Sequence, residues 1–175
     1  MRRAYRLRMR KALLATVAML VAAFSFSGPV PSARASGDWV WPVVGPVIRG
    51  YDPPASPYGS GHRGIDIAAP IGTPVLAAEA GTVTFAGTVG GRLFVTVNHG
   101  GGLVSTCSWV SELRVRKNDV VVQGQVIALS GEGHPGETPT HLHVGVRLDG
   151  AYVDPLDYLS PGSVVDLIHL APLVA

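Results

Sequence analysis

The chain has 175 residues, of which 47% are hydrophobic and only 15% are charged. Its formal net charge is +2 with neutral histidines, but residues 1–35 hold seven of the fourteen basic residues and none of the twelve acidic ones. The remainder therefore carries a net charge of −5, which gives no support to nucleic-acid binding through a basic surface.

The first predicted element is an export signal over residues 1–35. Six cations precede the apolar run ALLATVAMLVAAFSF, and the small residues Ala33 and Ala35 follow it, a pattern typical of a cleaved signal peptide with Ser36 as the first mature residue. A retained membrane anchor is the alternative, but the apolar run is shorter than the roughly 20 residues that span a bilayer. We therefore expect a secreted protein with no stable membrane span after cleavage.

The mature chain is predicted to form a single all-β domain. Residues 36–61 are rich in Pro, Gly and aromatic residues and indicate an ordered lead-in, which packs against a domain over residues 62–160. Short β-branched runs separated by glycine turns follow one another roughly every eight to twelve residues, which predicts antiparallel strands. Residues 161–175 are interpreted as a C-terminal tail. The single cysteine, Cys107, cannot form an internal disulfide.

Two compact histidine clusters carry the chemistry of the sequence. The segment GHRGIDIAAP places His62 four positions before Asp66, in a glycine-flanked loop that leads into a strand. The segment THLHVGV places His141 and His143 two positions apart in a strand, where the two imidazoles share one face at a separation of roughly 7 Å. Each pair by itself also fits a surface or structural histidine.

Taken together, the two clusters predict a metal site. His62, Asp66 and His143 would supply two imidazoles and one carboxylate with a fourth position open, which is the arrangement of catalytic zinc. One Zn²⁺ per chain would polarise a carbonyl and lower the pKa of its bound water to about 7. His141, on the same face but not bound, is then placed to take or return a proton.

These motifs carry a resemblance to a known family. The segment GHRGIDIAAPIGTPVLAAEAGTV followed by THLHVGV resembles the lysostaphin/LytM-type zinc metallopeptidases, which are secreted endopeptidases that cut peptide cross-links of bacterial peptidoglycan. The resemblance covers residues 41–158. It implies an antiparallel β domain with a groove, related to the barrel-sandwich architecture, with zinc bound by His62, Asp66 and His143 and with His141 as a catalytic residue. It also implies a peptidoglycan peptide as the substrate and an extracellular or wall-associated location, and it assigns no substrate-binding residue.

One element of the family pattern is missing. Family members usually carry a Tyr-x-His-Leu stretch in the strand after HGGGL, and here LVSTCSWVS aligns Cys107 with the tyrosine and Trp109 with the histidine. An alternating strand would place both residues on one face, opposite His141 and His143. Because an indole N–H cannot accept a proton, Cys107 and Trp109 are interpreted as degenerate catalytic positions. Two functions stay open: a zinc endopeptidase weakened by this change, and a non-catalytic zinc-containing wall-binding or regulatory domain with another wall enzyme as its partner.

Three further histidines and Cys107 are the remaining candidates for a chemical role. His99 is interpreted as a turn or groove-edge residue, His134 as a loop residue that would have to approach the groove to replace the missing imidazole, and His169 as part of the tail. Cys107 as a ligand or nucleophile is outweighed by its apolar strand, where a cysteine acts as a small hydrophobe. A lipoyl or biotinyl carrier fold, which GTPVLAAEAGTV superficially matches, is disfavoured because residues 70–116 contain no lysine.

Overall fold

The residues described by a computed structural model are 38–56, 59–135 and 137–160, and all of them belong to one compact unit. The predicted signal peptide and tail, including His169, lie outside the described residues. The described part of the chain contains ten strands and one short 3-10 helix: β1 Val47–Arg49, β2 Ile65–Ala68, β3 Pro74–Leu76, β4 Gly81–Val89, β5 Arg92–Gly100, β6 Leu103–Leu113, β7 Val120–Val121, β8 Val126–Ser130, β9 His141–Leu148, β10 Ala151–Val153 and the 3-10 helix Pro155–Asp157. No helix in this part of the chain has the length and hydropathy required of a membrane span.

All the strand pairings are antiparallel, in the order β1-β2-β9-β6-β5-β4-β7, with β10 beside β9 and with β8 paired to both β6 and β3. The glycine turns predicted from the sequence make these hairpins. Gly90 and Gly91, for example, join β4 to β5 with φ angles of 56° and 78°, as a two-residue hairpin turn of this hand requires. The prediction of an antiparallel all-β domain is confirmed.

The packing of β9 into the core determines on which face of the sheet His141 and His143 lie. In β9, Leu142 and Val144 are buried in the hydrophobic core together with Ile65 and Ile67 of the neighbouring β2. Because side chains alternate along a strand, His141 and His143 lie on the other face of β9. The alternation that builds the core therefore also places the histidine pair together.

The described part of the lead-in is built into this domain. Trp39 is 1% exposed within the core, where it packs against His99 and Tyr158 at ring-centroid distances of 4.7 and 5.2 Å. Strand β1 pairs with β2, the strand that carries Asp66. Residues 38–56 therefore support the fold and border the histidine clusters.

Candidate metal centre

The three residues predicted as metal ligands converge at one point. Asp66 in β2 lies directly opposite His143 in β9, and Oδ1 of Asp66 is 2.8 Å from Nδ1 of His143. His62, just before β2, places its Nε2 3.1 Å from Oδ2 of Asp66 and 3.1 Å from Nδ1 of His143. Two imidazoles and one carboxylate thus point at a common position.

The hydrogen bonds around these residues favour a bound cation. Nδ1 of His62 donates to the carbonyl oxygen of Gly50 at 2.7 Å, which leaves the lone pair of Nε2 facing the cluster. Oδ2 of Asp66 is buried and has no hydrogen-bond partner among the described residues, an arrangement that calls for an explanation such as an ion. Because this donor set is the one zinc prefers, the residues fit a zinc ion.

The carboxyl group of Asp66 is fully buried among histidines. Burial by itself raises the pKa of Asp66, but the hydrogen bond with His143 and the electrostatic interactions with His143, His62 and His134 outweigh it, so the pKa lies below its ordinary value. Asp66 therefore stays an anion, the form in which a carboxylate binds a metal.

His141, predicted to handle a proton, has both ring nitrogens engaged with the backbone. Nδ1 donates to the carbonyl oxygen of Pro139 at 2.9 Å, and Nε2 accepts a hydrogen bond from the backbone N–H of His134 at 3.0 Å. The side chain is 0% exposed. These bonds fix the neutral tautomer with its lone pair on Nε2, and proton transfer at Nε2 would require the bond from His134 to break.

His134, which sequence reasoning did not favour, lies inside the cluster. Its Nε2 is 3.3 Å from Nδ1 of His143 and 3.5 Å from Oδ1 of Asp66. Burial lowers the pKa of His134, and the negative charges of Asp66 and Glu137 oppose that effect only in part. The available signal was a histidine in a glycine-rich loop, GEGHPGE, just before the H-x-H strand.

The expectation that Cys107 and Trp109 share a face is wrong, because β6 contains a bulge. Ser108 pairs with Phe94 and Val110 pairs with Leu93, so Trp109 is an extra residue, and its φ of 65° is unusual for a strand. Cys107 is 3% exposed in the hydrophobic core, where burial raises the pKa of its thiol to about 12. Cys107 therefore faces away from the metal centre.

Trp109 lies on the groove side of β6 beside His134, with the two rings 5.1 Å apart. The guanidinium of Arg92 lies over the indole at 5.1 Å, and Phe94 packs at 6.4 Å. On the same side of the sheet, Ser108 is the β6 residue directly opposite His143, and it lines a groove with Thr106, Arg147 and Tyr152. Sequence reasoning missed Ser108, since the register of β6 against β9 decides which residue faces His143.

His99 has a structural position rather than one at the groove edge. It is buried against Trp39, donates from Nδ1 to the carbonyl oxygen of Ala80 at 3.0 Å and accepts at Nε2 from the hydroxyl of Ser105 at 2.7 Å. Burial lowers its pKa, and the hydrogen bond to Ala80 and the charge of Glu79 oppose this in part. His99 is absent from the histidine cluster that surrounds Asp66.

Comparison with known proteins agrees with this arrangement. The family described as Peptidase family M23 matches residues 60–155. A protein of Pseudomonas aeruginosa named Lipoprotein NlpD/LppB homolog is 39% identical over 133 residues, which cover 75% of this chain and 43% of the relative. Murein hydrolase activator NlpD of Salmonella typhimurium is 32% identical over 123 residues, which cover 69% of this chain and 31% of the relative. The chain thus spans less than half the length of both relatives.

Two solved structures share the fold. A zinc-containing peptidase from Vibrio cholerae superposes with a TM-score of 0.57 and 26% identity over 69% of this chain and 39% of the other. The antimicrobial peptidase lysostaphin from Staphylococcus simulans superposes with a TM-score of 0.59 and 27% identity over 71% of this chain and 53% of the other. The resemblance to lysostaphin-type peptidases found in the sequence is confirmed.

Proposed function

The chain belongs to peptidase family M23, and from this premise we propose that it is an exported zinc-dependent endopeptidase acting on peptide cross-links of bacterial peptidoglycan. The convergence of His62, Asp66 and His143 within hydrogen-bonding distances of one another is the observation that carries the proposal. The lipoprotein name of the Pseudomonas relative supports a location in the cell envelope.

The residues of the chain divide the chemistry among them. When bound, zinc supplies a Lewis acid and a water of lowered pKa. Gly50 holds His62 in the tautomer that presents Nε2, and Asp66 supplies the negative charge. His141 is the remaining proton acceptor on this face once Nε2 is released from the His134 N–H. The Trp109 indole can donate one hydrogen bond but cannot take a proton, so we expect slow turnover.

A second candidate is a zinc-containing domain that binds wall peptide and regulates another wall enzyme without cutting. Two observations favour it: Trp109 stands in the stretch where the family usually has a histidine, and both nitrogens of His141 are already bonded. The name of the Salmonella relative, a murein hydrolase activator, also supports this candidate.

Metal analysis tests the site that both candidates need. We expect one zinc per chain in the wild-type protein and a loss of zinc in His62→Ala and His143→Ala. Gln123→Ala, an exposed substitution elsewhere on the domain, is the control and should keep its zinc. A wild-type protein that is folded and free of zinc after purification with zinc present would overturn the assignment of the three ligands.

Digestion of purified peptidoglycan separates the two candidates. If the wild-type protein releases cross-link peptides and His141→Ala stops the release, the endopeptidase is supported. If the wild-type protein is inert, the endopeptidase proposal fails and the second candidate replaces it. A gain of cutting in Trp109→His would then identify Trp109 as the cause of the lost activity.

A further inference from the structure

We propose that His134 is a fourth protein ligand of the metal, so that the resting site is closed to substrate. This inference rests on the metal site of the proposed function and adds one residue to it. The ligand atoms of His62, Asp66, His134 and His143 all lie within 4.8 Å of one another. His134 reaches this cluster from the loop between β8 and β9, and not from the strand position at which the family usually supplies its additional histidine and which Trp109 occupies here.

The separations from His134 to His143 and to Asp66 match those between two ligands of a tetrahedral site. Ligand nitrogens and oxygens about 2.0–2.1 Å from a tetrahedral zinc are roughly 3.3 Å from one another. The separations from Nε2 of His134 are 3.3 Å to His143 and 3.5 Å to Asp66, and those among the other three residues are 2.8–3.1 Å. His134 is therefore spaced from His143 and Asp66 as a member of the ligand set.

The loop that carries His134 packs closely against two strands, β9 at His141 and β6 at Trp109. A Cβ at Gly133, whose φ is 87°, would lie 2.5 Å from the His141 ring, and a Cβ at Gly131 would clash with the carbonyl oxygen of Trp109. The ring of His134 then rests against the indole of Trp109. Two glycines and one aromatic ring thus hold the imidazole of His134 over the cluster, and Trp109 acts as its support.

His134 then blocks two features that hydrolysis needs, the open position on the zinc and the lone pair of His141. The imidazole of His134 takes the fourth position, and its backbone N–H takes the lone pair of His141. Zinc with four protein ligands is typical of structural sites, and catalytic sites keep one position open. The resting protein is therefore expected to bind zinc tightly while admitting no small ligand to it.

Cobalt substitution of the full protein provides a test that does not depend on activity. We expect His134→Ala to bind Co²⁺ at least about tenfold more weakly than wild type, since even residues outside the ligand set cost about 10- to 100-fold in affinity. Added imidazole should change the visible Co²⁺ spectrum of His134→Ala and leave that of wild type unchanged. Glu132→Ala, an exposed change in the same loop, should behave as wild type.

A second variant separates coordination from loop packing. His134→Gln keeps the bulk of the side chain, and we expect it to lose affinity and to respond to imidazole as His134→Ala does. Wild-type affinity and spectra in both folded variants, or a wild-type protein that itself responds to imidazole, would overturn the role of His134 and leave the three-ligand site intact. A wild-type protein that binds no metal would instead overturn the proposed function.

Discussion

The backbone N–H of His134 donates a hydrogen bond to Nε2 of His141, with the two nitrogens 3.0 Å apart. This bond ties the loop after β8 to the first residue of β9. The backbone of Gly133, the residue just before His134, lies against the His141 ring. The hydrogen bond to Nε2 of His141 therefore depends on the conformation of Gly133.

Gly133→Ala is therefore expected to disturb the metal centre, whereas Gly72→Ala is not. Both glycines have similar positive φ angles, 87° and 84°, but a Cβ at Gly133 meets the His141 ring and a Cβ at Gly72 meets open space. Both variants should lose roughly 1 kcal/mol of unfolding free energy from backbone strain, and only Gly133→Ala should also lose zinc affinity. Urea denaturation and zinc titration measure the two effects, and equal zinc affinities would contradict the prediction.

Trp39→Ala is expected to destabilise the domain by about 3–5 kcal/mol, because it removes a large side chain from the core. Trp39 lies before residue 60, where the family match begins, so the loss would establish that the lead-in belongs to the folding unit. The measurement is the urea midpoint of unfolding. Val44→Ala, at a position that is 55% exposed in the same segment, is the control and should change the unfolding free energy by less than about 0.5 kcal/mol.

Stability is expected to fall below about pH 6.5 partly through His99. Burial lowers the pKa of His99 in the folded state, so as the pH falls through the ordinary value of 6.5 the unfolded chain takes up a proton before the folded one does. The contribution of the neutral His99 ring to the free energy of unfolding is fully present above pH 6.5 and declines as the pH drops toward the pKa of His99 in the folded state. An NMR titration of the His99 ring should give a midpoint below 6.5, and a midpoint at or above that value would refute the prediction.

Cys107→Ser is expected to affect stability and not the metal centre. The hydroxyl would be buried in the core where Cys107 now packs, at a cost of about 1–3 kcal/mol if it finds no hydrogen-bond partner. Zinc content should stay at the wild-type value. Because burial raises the pKa of the thiol to about 12, a disulfide reagent should modify folded wild type far more slowly than unfolded wild type, and loss of zinc from a folded Cys107→Ser protein would count against this assignment.

The strands and the shared face of His141 and His143 were accessible from the sequence because both depend on local rules. The alternation in HLHVGV places His141 and His143 on one face and Leu142 and Val144 on the other whatever the neighbouring strands are. Glycine turns at regular spacing predicted the hairpins. The meeting of Asp66 with His143 was harder to predict, since it depends on the pairing of β2 with β9, which no spacing along the chain specifies.

The bulge at Trp109 and the position of His134 were beyond local rules. A bulge depends on which residues of β5 and β8 pair with β6, so strict alternation put Cys107 on the wrong face. The loop before β9 has no periodicity. Its path is determined by a contact with Trp109, which is distant in the sequence, and by one with His141, which no sequence pattern predicts. The bulge and the His134 loop lie on the same side of the histidine cluster.

The hydrogen bond from His62 to the carbonyl oxygen of Gly50 has a thermodynamic consequence for the lead-in. The bond holds His62 with its Nε2 lone pair available, so binding at Nε2 and ordering of the chain near Gly50 favour each other, and by linkage each must strengthen the other equally. Proteolysis within residues 38–56 should accordingly slow as zinc is added. The supply of zinc would then control how firmly residues 38–56 are held to the rest of the domain.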